Sequence, residues 1–238
     1  MFRTRVTVFV GHFGSGKTEI ALNGAFDLAA AGAPVTLADL DVVKPYFRSR
    51  SAREMLADRG IELLAPSGAN IHADLPIIVP QIRSSLREGS RRLILDVGGD
   101  DVGARVLESL SDVVPLDETR CLLVLNFRRP STPDPEQAVA MIREIEAVGR
   151  LRVDGLVSNT HLMDETTPEV VLDGYRMAIE TAAAVDVPVV AVTAMGSVAG
   201  AIDEANLECP LVTLRRVVVP PVDQSQRQRT TGPLFVVN

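Results

Sequence analysis

Gly11-His12-Phe13-Gly14-Ser15-Gly16-Lys17-Thr18 follows the aliphatic run Val6-Thr7-Val8-Phe9-Val10 and leads into Glu19-Ile20-Ala21-Leu22-Asn23-Gly24-Ala25-Phe26. The first flank has the length and Val content of a buried strand, and the second has helical spacing. A G-x-x-x-x-G-K-T sequence between a strand and a helix reads as a phosphate-binding loop, or P-loop. Its glycines allow a tight turn whose N–H groups point inward at phosphate oxygens. The helix that follows adds its N-terminal dipole and free N–H groups. Lys17 is the mobile charge for the β- and γ-phosphates, and Thr18 offers a hydroxyl to Mg²⁺. Gly11, His12, Phe13, Gly14, Ser15, Gly16, Lys17, Thr18 and Glu19 are therefore assigned to nucleotide binding.

Working outward, a metal bound at Thr18 needs carboxylates at neighbouring strand ends. Arg92-Leu93-Ile94-Leu95-Asp96-Val97-Gly98-Gly99 is an aliphatic strand ending in such a group. Asp96 would face the Mg²⁺, and Gly99 completes D-x-x-G, whose backbone N–H can sense a γ-phosphate. Leu37-Ala38-Asp39-Leu40-Asp41 ends another strand. Asp39 is assigned to the metal's outer shell and Asp41 to orienting or deprotonating an attacking water, with Lys17, Asp39 and Asp41 forming the catalytic set. Lys44, Arg48 and Arg50 follow, as charge for the γ-phosphate or as a solvated basic face. Asp100 and Asp101 read as caps of the next helix.

The chain has 238 residues and a net charge of −7, and its 24 bases are 22 arginines plus the lysines Lys17 and Lys44. The acidic balance argues against bulk affinity for nucleic acid. Cys121 and Cys209 are too few for a disulfide framework or a four-thiolate metal site. No apolar run is long enough to span a bilayer, and Met1 to Val10 carries no signal-peptide pattern, so a cytoplasmic location is expected. With aromatics at 4% and no Trp, the core must be aliphatic. Strand-type runs at 3–10, 34–40, 61–65, 91–97, 120–126, 151–158, 187–193 and 211–219 alternate with helical patterns at 17–31, 45–59, 77–88, 102–110, 134–149 and 168–185. That alternation implies a three-layer α/β fold, a mostly parallel sheet with helices on both faces. Residues 1–220 are expected to form one nucleotide-binding domain. Residues 221–238 are a polar tail with an apolar end, either frayed or docked on a neighbouring subunit.

The P-loop at 11–18, the D-x-D at 39–41 and the D-x-x-G at 96–99 together resemble the SIMIBI class of P-loop NTPases. Within it they look most like the MinD/ParA/ArsA-type ATPases and a group of ATP-binding proteins allied to the cobyrinate-synthase lineage. The resemblance implies a parallel sheet with the D-x-x-G strand beside the P-loop strand, and a homodimer that sandwiches ATP or ADP with Mg²⁺. The signature lysine of the MinD/ParA branch is replaced here by His12, which leaves Lys44 or Arg48 for the charge-neutralising role.

The N-K-x-D motif of guanine readers cannot occur, since neither lysine is placed for it, and ATP is therefore expected over GTP. Asn159, at the end of Gly155-Leu156-Val157-Ser158-Asn159, is the adenine-reading candidate that the resemblance implies. Asn126, after Leu122-Leu123-Val124-Leu125, is the alternative. His161 follows Asn159, while His72 sits in a polar segment, 66–76, that reads as a loop. Arg128 and Arg129 face a phosphate, an acidic partner or solvent. The functional expectation is an ATP-hydrolysing switch acting on a protein partner. An ATP-dependent ligase or kinase for a small carboxylic acid, as in dethiobiotin synthetase or the cobyrinate amidases, is the alternative. A ParA-type positioning module is a third reading.

Overall fold

The structure, a computed structural model, describes residues 1–40, 50–65, 71–99 and 101–218; of residues 50–51, 71–78 and 101–102 it describes the backbone alone. Among them, strands β1 (Val6–Val10), β2 (Val35–Leu40), β3 (Glu62–Leu64), β4 (Arg92–Val97), β5 (Thr119–Leu125), β6 (Gly155–Ser158), β7 (Val189–Met195) and β8 (Leu211–Leu214) form one sheet. The order is β3-β2-β4-β1-β5-β6-β7-β8, with every neighbouring pair parallel. The expected D-x-x-G strand, β4, does lie beside the P-loop strand β1.

Parallel pairing requires a crossover between successive strands, which covers both faces of the sheet and makes its strands continuously apolar. The helices are α1 (Lys17–Ala30), α2 (Arg50–Ala57), α3 (Ile71–Glu88), α4 (Asp101–Leu110), α5 (Pro135–Gly149), α6 (Pro168–Val185) and the short α7 (Gly196–Ala199). Along β1 the pleat sorts the side chains. Val6, Val8 and Val10 pack with Ile82 of α3, Leu107 of α4, Ile142 of α5 and Ala178 of α6. Phe9 points the other way, to Ile20 and Leu22 of α1 and Leu56 of α2. Helix starts follow local chemistry: Asp134 caps α5 by accepting from Gln137 N, and Thr167 caps α6 by accepting from Val170 N, each followed by proline.

Phe9 is fully buried and meets Phe2 edge-on at 5.7 Å between ring centroids. Phe9→Ala is expected to cost about 3–5 kcal/mol, because the central strand cannot collapse into the void. Urea unfolding checks this: the midpoint should fall with the slope unchanged. A loss below about 1 kcal/mol would mean that the two layers repack freely.

Several boundaries differ from the sequence reading. β1 starts at Val6 rather than residue 3, with Thr4 Oγ1 donating to Val6 O at 2.9 Å in a bend before the strand. β6 starts at Gly155 rather than 151, and β8 stops at Leu214. The largest change is α3, which starts at Ile71 rather than 77 and carries Pro76 and Pro80 inside its span. Pro76 removes an i→i−4 bond and so favours a break just before the expected start, whereas Pro80 already lay within the expected 77–88 helix. The backbone of His72 is therefore helical rather than part of a loop. Asp41, Lys44, Arg48, Asp100 and the tail 221–238 lie outside the described residues, as do the side chains of Arg50, His72 and Asp101.

Candidate nucleotide site

After β1 the chain turns to β2, on one side, and after β4 it crosses to β5, on the other. The carboxyl end of β1 thus sits where successive crossovers diverge, the usual ligand crevice of an open parallel sheet. Residues 11–18 occupy that crevice. The turn folds onto one carbonyl: Ser15 N and Lys17 Nζ both donate to His12 O, at 3.2 and 3.3 Å. Lys17 is buried to 4% exposure. Gly16 caps α1 with φ +93°, and a Cβ there would lie 2.1 Å from Asn159 Nδ2, so glycine is required twice over.

The acidic side is equally compact. Thr18 Oγ1 donates to Asp96 Oδ2 at 2.6 Å. Asp39 and Asp96 are register partners across β2 and β4, and both are buried. The loop after β4 presses on the P-loop itself: a Cβ on Gly99 would stand 2.3 Å from Gly11 O and 2.7 Å from His12 N. A hydroxyl and two carboxylates are hard oxygen donors of the type Mg²⁺ takes, leaving room for water and phosphate oxygens.

The ends of β5, β6 and β7 brace the turn from behind. Asn159 Nδ2 donates to Ser15 O at 2.6 Å, and its Oδ1 accepts from Thr193 Oγ1 at 2.6 Å. Asn126 Nδ2 donates to Gly14 O and to His161 O, both at 3.3 Å, while its Oδ1 accepts from His161 N at 3.2 Å. Arg129 Nε donates to Gly14 O at 3.1 Å, whereas Arg128 pairs with Asp173 at 3.4 Å. Phe13, at the tip of the turn, is 56% exposed.

Glu19, which lines the same cavity as Lys17 and Thr18, ties α1 to the segment after β8. Its carboxylate accepts from Val217 N, and from Val218 N at 3.0 Å. One helical turn on, Asn23 makes a two-point pair with Arg215: its Nδ2 donates to Arg215 O and its Oδ1 accepts from Arg215 N, each at 2.9 Å. Burial pushes the Glu19 carboxyl up, while the two N–H groups and the Arg216 charge pull it down. Burial pushes the His12 imidazole below its usual range; the Glu144 carboxylate opposes this and the Lys17 ammonium adds to it. The net direction favours the uncharged imidazole of His12.

These elements enclose a cavity of about 150 Å³. Lys17, Thr18 and Gly16 stand at one end, and Asn159, Thr193 and His161 at the strand ends. Met195, Leu214 and Val218 are among its apolar walls. Thr193 and the stretch Leu214 to Val218 were missing from the sequence reading. Thr193 looks like an ordinary strand residue, and Val217 contacts Glu19 across 198 positions, so no local pattern marks either.

No protein-family model matches the chain, and no curated protein matches it. Solved structures do. Cell division protein FtsY of Thermotoga maritima aligns with 90% of this chain and 65% of its own, at 20% identity and a TM-score of 0.52. Chloroplast FtsY of Physcomitrella patens aligns with 80% of this chain and 58% of its own, at 20% identity and a TM-score of 0.52. The signal recognition particle 54 kDa protein of Aeropyrum pernix K1, in complex with GDP, aligns with 77% and 40%, at 16% identity and a TM-score of 0.50. The chain thus spans less than two thirds of the length of each of these neighbours. No described helix is long and apolar enough to cross a membrane. The all-parallel sheet, with the P-loop strand between the D-x-x-G strand and β5, gives this chain the three-layer α/β fold of these P-loop NTPase neighbours.

Proposed function

We propose that the chain binds MgATP at residues 11–18 and hydrolyses it, acting as a nucleotide-dependent switch on a protein partner. The observation that carries this reading is the contact of Thr18 Oγ1 with Asp96 Oδ2 at 2.6 Å, with Asp39 in register beside Asp96, where Thr18 also lines a cavity with apolar walls. When bound, Mg²⁺ would neutralise phosphate charge and orient the phosphates. Thr18, Asp39 and Asp96 would hold it, the carboxylates partly through water, and Lys17 would meet the β- and γ-phosphate oxygens. Asp41 would position the attacking water. Gly99 touches the P-loop backbone, so a γ-phosphate felt at Gly99 N–H would move the D-x-x-G loop as one unit with the turn. A homodimer of the MinD/ParA kind is part of this reading; it would have to work without a lysine at position 12.

Adenine is favoured by the valence of Asn159. A primary amide has two N–H donors and two acceptor lone pairs. Ser15 O takes one donor and Thr193 Oγ1 one lone pair, leaving a donor and an acceptor side by side. Adenine presents an acceptor at N7 next to a donor at N6, whereas guanine presents two acceptors, N7 and O6. The remaining pair on Asn159 suits the first and opposes the second.

Thermal unfolding tests the reading. MgATP at about 100 times its Kd should stabilise by about 2.7 kcal/mol, raising Tm by roughly 5–10 °C for a chain of this size. EDTA should remove most of that rise, and MgGTP should give a much smaller one. If the γ-phosphate orders the switch loops, a non-hydrolysable ATP analogue should raise Tm more than ADP. No shift with any nucleotide would overturn the proposal. ATP turnover that appears only with a carboxylic-acid metabolite would replace the switch by a ligase or kinase.

A further inference from the structure

The segment after β8 has no motif, yet it lines the cavity beside the end of β7, where Leu214 pairs with Met195. Leu214, Arg216 and Val218 line the cavity, while Arg215 and Val217 alternate outward. Two side chains of the P-loop helix hold the outward backbone: Glu19 through the N–H groups of Val217 and Val218, and Asn23 through both backbone groups of Arg215. From the other side, Arg216 Nη2 reaches Asp164 Oδ1 at 2.8 Å, spanning from the strap to the turn that carries Met163 and Thr166 of the opposite rim.

We propose that residues 214–218 are a strap forming the base-contacting wall of the nucleotide cavity, and that Glu19 and Asn23 are positioning residues that set its distance from the P-loop. This rests on the nucleotide reading above and adds to it what determines affinity for the base. Glu19 and Asn23 lie on one face of α1, one turn apart, directly after Lys17 and Thr18. The same rigid helix therefore fixes the phosphate contacts and the strap, and the span between them is set by about one helical turn. A carboxylate that accepts two adjacent backbone N–H groups holds them more firmly than a neutral acceptor would. The Asn23 pair continues this backbone bonding beyond the end of β8, so residues 215–218 are held although β8 stops at Leu214. An apolar wall at Leu214 and Val218 with a planar guanidinium between them suits the faces of a purine ring.

Titration calorimetry of the purified chain against MgATP and against magnesium tripolyphosphate separates the strap from the phosphate cradle. Asn23→Ala should weaken MgATP about tenfold and leave tripolyphosphate within about twofold. Glu19→Gln, which keeps the side-chain shape but loses one acceptor and the charge, should also weaken MgATP about tenfold. It should not weaken tripolyphosphate, because a nearby negative charge has been removed. Equal loss of both ligands in both variants would mean that the clasp merely supports the P-loop helix, and would overturn the proposal. So would unchanged binding of MgATP in both. If the unaltered chain bound neither ligand, the nucleotide reading itself would fail and the strap with it. Binding of tripolyphosphate and MgATP with equal affinity by the unaltered chain would overturn the strap alone.

Discussion

Lys17→Ala is expected to lower MgATP affinity by at least about 30-fold and to leave no measurable turnover. The ammonium is buried to 4% exposure and held at the His12 carbonyl, 3.3 Å away, so it is in place before any ligand arrives. Removing one partner of a buried, hydrogen-bonded charge pair costs about 2–5 kcal/mol, roughly 30- to 4,000-fold in affinity. Arginine should not rescue it. The space between His12 O and the turn suits a compact ammonium on a flexible stem, and a planar guanidinium must be accommodated by moving the loop. Calorimetric titration with MgATP, alongside a turnover assay, gives the answer; affinity within about threefold of the unaltered chain would remove Lys17 from the phosphate site. The measurement is unusually clean, because the only other lysine in the chain is Lys44.

Gly99→Ala should be nearly as damaging by a different route. Its new Cβ would meet backbone atoms, Gly11 O at 2.3 Å, Gly11 C at 2.4 Å and His12 N at 2.7 Å, and backbone cannot swing aside as a side chain end does. Relief requires the loop after β4 to part from the P-loop by roughly 1 Å, the scale at which misplacement of reacting groups costs about 100-fold in rate. Asp96, three residues earlier, would keep its strand position while the loop beyond it shifts. The expected signature is therefore a kcat reduced by about two orders of magnitude with ADP affinity changed far less. Steady-state kinetics together with ADP titration would show it. A kcat within threefold of normal would mean that the D-x-x-G loop takes no part in the reaction.

How much of this was readable from sequence follows from the range of the interactions. The P-loop is a local device, in which glycines, a lysine and a threonine act within eight positions, and its strand–turn–helix setting is also local. The strand rhythm of a buried parallel sheet survives in composition, so the layer architecture and most elements were legible within a few residues. Helix α3 was started six residues late, just after Pro76, whose local signal for breaking is overridden in a helix that packs through Ile82 and Leu86. The bracing network was legible only in part. Asn159 and Asn126 stood out as amides ending apolar strands, but their partners Ser15 and Gly14 are 144 and 112 positions away. Glu19 was assigned to the nucleotide with the rest of the loop, and it does line the cavity, but the partners of its carboxylate lie almost the length of the chain away.

The sheet's asymmetry gives the two halves of the cavity different kinetic character. The phosphate cradle hangs on β1 and β4, which have paired neighbours on both sides. Their amides should exchange with solvent only through global unfolding. The strap hangs on β8, a four-residue strand that is the outermost on its side of the sheet among the described residues. Edge elements of that length open locally at a small fraction of the global free energy, many times for each unfolding event. A ligand spanning both halves would be anchored by its charged end on the slowest-exchanging part of the molecule and covered by a wall that, although clasped to α1, hangs from a faster-exchanging strand. Release of the base end would then be timed by fraying of one edge strand, while the P-loop stays assembled for the next molecule.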